Sequence, residues 1–88
     1  MYMPKVLLTN GLYEISLMRK MKETRIFFAP DDFRIVRTDD VHADVTVDED
    51  GYAYYIFTEQ GTTLLGPSEA TSILEQIFEL TGKYVCDY

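Results

Sequence analysis

Short runs in which apolar and polar residues alternate cover most of the chain, and Asn10-Gly11, Asp50-Gly51 and Gln60-Gly61 interrupt them. Asn-Gly and Asp-Gly are strong hairpin signals, because a type I′ turn needs positive φ at both central residues. The pattern predicts strands over 5–9, 12–18, 25–29, 43–49, 52–59 and 62–65, and an extended segment over 33–37 after the Pro30-Asp31-Asp32 turn. The stretch 12–24 reads two ways. Leu12, Ile15, Met18 and Met21 recur at a spacing a helix allows, whereas Tyr13, Ile15 and Leu17 alternate with Glu14 and Ser16 as in a strand. The Asn-Gly just before them favours the strand.

From Pro67 to Thr81 the period changes. Ala70, Ile73, Leu74, Ile77 and Phe78 form one stripe at helical spacing. Pro67 suits the first helical position, Glu69 the positive end of the macrodipole, and Ser68 and Ser72 offer capping oxygens. Gly82 supplies a stop. The expected fold is therefore α+β: an antiparallel β-meander of about five to six strands with one C-terminal amphipathic helix packed on one face.

A turn at Asp50-Gly51 would pair 43–49 with 52–59, with Val47 opposite Tyr54 and Val45 opposite Ile56. That places Val45, Val47, Tyr52, Tyr54 and Ile56 towards the helix. The reverse face then joins Asp44, Thr46 and Asp48 to Ala53, Tyr55 and Phe57, and the two aromatics break the polar alternation expected of a solvated face. Two readings are open for them: cover by the N-terminal strands, the commoner outcome, or contact with a partner across a patch rimmed by carboxylates.

Eighty-eight residues with 47% apolar content suffice for one domain spanning 1–88 with its own core. A single cysteine, Cys86, excludes an internal disulfide, and no run approaches the ~18 apolar residues of a membrane span. These features fit a soluble, cytoplasmic protein with no membrane role. Charge changes the picture more. Residues 1–37 carry seven bases and four acids, a balance of +3; residues 38–88 carry eleven acids and one base, a balance of −10. Between Thr38 and Gly82 there is no Lys or Arg.

Motifs for chemistry fail one by one. Thr46 to Gly51 has acids at the third and fifth places of a calcium loop, but Thr46 stands first and Phe57 twelfth, where a bidentate Glu belongs. His42, between Asp40 and Asp44, is the sole histidine and has no Cys nearby in sequence; Cys86 lies in a strand-like tail; Gly61 and Gly66 do not match a phosphate loop. Asp31/Asp32 and Asp39/Asp40 read as turn residues, and Arg19 to Arg25 as a charged turn, not a nucleic-acid site. No catalytic residue, metal ligand or cofactor is expected, and a non-enzymatic protein is.

What stands out is acid without partners. Glu75 and Glu79 lie one helical turn apart, where like charges cost a few tenths of a kcal/mol, and no base in the helix offsets them. The candidate partner-binding set is Asp39, Asp40, Asp44, Asp48, Glu49, Asp50, Tyr55, Phe57, Glu75 and Glu79. It implies docking on a basic partner, a nuclease or nucleic-acid-binding protein, with no direct binding of nucleic acid. In size and charge the chain looks like the small acidic inhibitors of phages and mobile elements, DNA-mimicking anti-CRISPR and anti-restriction proteins among them; no motif carries that likeness. The alternative is a homodimeric structural or accessory domain whose acids confer solubility, with Tyr55 and Phe57 at its interface.

Overall fold

The computed structural model describes residues 3–19, 21–41 and 45–83, so the expectations for His42, Asp44, Cys86 and the tail lie outside the described residues. Six strands precede one helix: β1 (Lys5–Thr9), β2 (Leu12–Arg19), β3 (Lys22–Phe28), β4 (Phe33–Thr38), β5 (Ala53–Thr58), β6 (Gly61–Leu65) and α1 (Pro67–Thr81). They form two antiparallel meanders, β1-β2-β3 and β4-β5-β6. The expected α+β meander is present, divided into two sheets.

The turns follow from local chemistry. Asn10 and Gly11 both take positive φ, 52° and 78°, and join β1 to β2 with Thr9 opposite Leu12. The stretch 12–24 is thus a strand and the start of the next, and β3 begins earlier than the predicted 25–29. Its turn places Met21, 96% exposed, at φ 65°, a region a side chain enters only at a cost. The β5–β6 hairpin turns at Glu59-Gln60, one residue before the predicted Gln60-Gly61, with Thr58 opposite Gly61 at the start of β6.

The helix starts differently from expectation. Gly66, not a serine, is the N-cap; its N–H donates to Glu69 Oε1 at 2.7 Å, so Glu69 reaches back to an amide the helix leaves over. Gly82 ends it in the left-handed conformation, its N–H donating to the Phe78 carbonyl at 2.7 Å. Ala70, Ile73, Leu74 and Ile77 are buried, while Phe78, predicted on the same stripe, is 40% exposed.

Both sheets and the helix share one core. Alternation sends Val6, Tyr13, Ile15, Leu17 and Phe28 inward from the first sheet, and Ile35, Ile56 and Leu65 inward from the second. Tyr13, Phe28 and Phe33 bridge the sheets with ring centroids 4.4–5.7 Å apart, contacts worth about 0.5–1.5 kcal/mol per pair beyond burial. Gln76 ties the helix to the edge strand. Its Oε1 accepts from the Val6 N–H at 2.9 Å, and its Nε2 donates to the Pro4 carbonyl at 2.8 Å and to Ser72 Oγ at 3.0 Å. The side-chain amide thereby takes the place of a neighbouring strand for β1.

The predicted strand over 43–49 is corrected: its described part, 45–49, is not a strand, and β5 pairs with β4, not with it. Asp48 explains the difference. Its Oδ1 accepts from the N–H groups of Asp50 and Tyr52, both at 3.0 Å, and its own N–H donates to the Tyr52 carbonyl at 2.9 Å. Asp48 to Tyr52 is therefore a closed loop, in which a side chain has taken backbone donors that a ladder would have used. Val45 and Val47 consequently do not face the helix from a strand, and Val47 is 38% exposed.

Candidate functional site

Two surfaces gather most of the predicted residues that the structure describes, and β5 separates them. Tyr54 and Ile56 point to the core side of the second sheet, where Ile56 is buried and Tyr54 packs against the core. Tyr55 and Phe57 point the other way.

On the Tyr54 side, the Asp48 loop and the first turns of α1 enclose a groove of about 620 Å³. Asp48, Glu49, Asp50 and Glu75 line it, together with Arg37 and the hydroxyls of Ser68, Thr71 and Ser72. Glu79 continues the row of Ser68, Ser72 and Glu75 by one helical turn, about 6 Å along the axis. These positions come together because the Asp48 loop folds back beside the helix start.

Arg37 organises the groove. Its Nε donates to Asp48 Oδ2 at 3.1 Å and to Tyr54 Oη at 3.0 Å, and the Tyr54 hydroxyl donates to Asp48 Oδ2 at 2.8 Å. Nη2 stands 3.0 Å from Asp48 Oδ2 and 3.4 Å from Asp50 Oδ2, and the guanidinium carbon lies 3.9 Å from the Tyr52 ring centroid. The N–H of Tyr52 chiefly, then the Tyr54 hydroxyl and Arg37, holds the Asp48 carboxyl well below its usual range, at about 2, against the opposing pull of burial. Burial and the bond to Asp48 push the Tyr54 hydroxyl upward.

This arrangement changes the roles expected of the acids. Asp48 and Asp50 are ion-paired by a base from the early part of the chain, so Asp48 serves as the anchor of its loop. Among the described residues, Asp39, Asp40, Glu49, Glu75 and Glu79 form no ion pair. The groove retains a formal excess of three negative charges, four carboxylates against one guanidinium. Arg37, Tyr52 and Tyr54 were missed as members of the cluster. The available signals were the Asp-x-Asp-Gly loop and the position of Arg37 as the last base before the base-free stretch.

On the opposite side, Tyr55 and Phe57 are half-buried, with ring centroids 6.2 Å apart. Register aligns Val36, Tyr55 and Leu64 across the sheet, and likewise Arg34, Phe57 and Thr62. The depressions the two rings line include no residue of β1–β3, so the first sheet does not cover them. Asp40 belongs to this side, so the downstream acids occupy two regions, not one continuous face.

Among the described residues, no group of three or more His, Cys, Asp or Glu is placed to hold a metal ion, and no helix is long and apolar enough to cross a membrane. Compared with known protein families, curated proteins and solved structures, the chain finds no match.

Proposed function

We propose that the protein is a small non-catalytic acidic binding protein of the cytoplasm, an inhibitor that docks its negative groove on a basic nuclease or nucleic-acid-binding protein. The observation supporting this reading is the unbalanced charge of the groove: Glu49 and Glu75 stand without cationic partners beside the Arg37-clamped Asp48 and Asp50, and Glu79 extends their row. Folding does not call for that row, since Glu75 and Glu79 repel at this spacing. A basic partner would relieve the repulsion and be steered towards the groove over long range. DNA mimicry of the phage or mobile-element kind is the form of inhibition this chemistry suits.

The test is capture from host lysate by the immobilised protein at low and high salt, followed by displacement of DNA from each captured protein. The expected result is retention of basic nucleic-acid-binding proteins, lost at high salt and lost in a Glu49→Lys/Glu75→Lys/Glu79→Lys variant with unchanged circular dichroism. Asp48 is left intact because its substitution would open the loop. Equal retention by the variant would refute the reading.

Self-association is the second reading, now favoured by a different surface. Leu7, Leu12, Met18 and Phe27 are 38–45% exposed, and register places them on the outer face of the first sheet with Lys5, Arg25, Glu14 and Glu23. The charges on that face cancel, so two copies of an acidic chain can meet there with their grooves turned away. Sedimentation velocity at high protein concentration distinguishes the two readings: a monomer throughout removes this one.

A further inference from the structure

We propose that the outer face of β4-β5-β6 carries a site for a cationic side chain, an arginine of a partner protein, formed by the Tyr55 and Phe57 rings and the Asp40 carboxylate. This rests on the reading that the partner is basic, and places a contact on the face away from the groove.

Strand geometry builds the site. Tyr55 and Phe57 lie two apart on the central strand, so both rings stand on one face, tilted 41° to each other. Val36, Thr38 and Thr62, from the strands on either side, complete a depression of about 390 Å³. Ligand pockets run from about 300 to 1,000 Å³, so this one is sized for a side chain or a small group. The chain turns back after β4 where the Asp40 N–H donates to Thr38 Oγ1 at 3.1 Å, which brings Asp40 to the rim.

The chemistry of the lining selects the ligand. Asp40 is its one carboxylate and its lining has no Lys, Arg or His, and aromatic faces carry the negative lobe of the ring quadrupole. Both features favour a cation and disfavour an anion. The protein itself shows the contact: the Arg34 guanidinium lies 5.4 Å from the Phe57 ring centroid, within cation–π range. The adjoining depression, which shares Phe57, is lined by Asp31, Asp32 and Glu59 against Arg34, three carboxylates to one guanidinium, so the surrounding potential is also negative. A guanidinium fits better than an ammonium, because its plane can stack on a ring while its edge meets a carboxylate.

The experiment is an amide NMR titration of the full chain with the peptide acetyl-Gly-Arg-Gly-Arg-Gly-amide, repeated with citrulline in place of arginine. The expected result is saturable shifts at Asp40, Tyr55, Phe57 and Thr62 with the arginine peptide alone. Asp40→Asn and Tyr55→Leu each weaken binding about two- to fivefold. Asp40 is exposed and outside the core, so Asp40→Asn tests the site even where Tyr55→Leu disturbs the sheet. Shifts confined to Glu49, Asp50 and Glu75 would overturn this site and leave the acidic-groove reading standing. Equal binding of the citrulline peptide would overturn cation recognition. Shifts at neither surface would overturn both readings.

Discussion

Replacing Gln76 with alanine removes the amide that stands in for a neighbouring strand at β1. Three hydrogen bonds are lost, two of them to the backbone groups of Val6 and Pro4 at 2.9 and 2.8 Å, in a partly buried setting. Each such bond contributes about 0.5–1.5 kcal/mol net, so the two backbone groups together account for about 1–3 kcal/mol. Alanine's better helix propensity returns only a few tenths. A loss of about 2 kcal/mol lowers the Tm of a domain this size by about 8–16 °C. Gln76→Glu supplies the control. Its carboxylate still accepts from Val6, but turns an oxygen towards the Pro4 carbonyl and has no proton to donate. That contact favours the neutral acid, which raises the glutamate's folded pKa, so stability is retained below the ordinary glutamate range and lost as pH rises through it. The deficit relative to wild type should therefore shrink as pH falls from 7 to about 4. Thermal melts of the three proteins across that range are the assay. A Gln76→Ala melt within about 2 °C of wild type, or a Gln76→Glu deficit indifferent to pH, would refute the edge-strand role.

Two further perturbations address the loops. Asp48 has a folded pKa depressed to about 2, so its contribution is present above the ordinary value of 3.8 and is lost as pH falls towards 2; Asp48→Asn should be less stable than wild type at neutral pH, with the gap closing over that acid window, and parallel Tm–pH curves would contradict this. Met21→Gly should raise stability by about 0.5–1 kcal/mol, since glycine takes the φ of 65° without the side-chain penalty; a lower Tm would show that the turn holds Met21 without strain.

What neighbouring residues decide among themselves was legible in the chain. Asn10-Gly11 makes its hairpin because positive φ at two adjacent positions is a local demand. Ala70, Ile73, Leu74 and Ile77 mark a helix because 3.6-residue spacing puts them on one side, and Gly82 ends it where a left-handed residue is needed. The excess of acid after Thr38 was equally plain. Tertiary structure alone decided which strand lies beside β5. Segments 33–37 and 43–49 both had strand-like patterns, and the choice fell to β4 once the Asp48 carboxylate had taken the amides of Asp50 and Tyr52 and met Arg37. That same long-range pairing set one guanidinium between two acids that sequence counts as free charge. Alternation along β5 then sent Tyr54 and Tyr55 to opposite sides, dividing the acidic region in two. Composition adds charges along a chain; only the packed fold assigns each its neighbours and its side of the sheet.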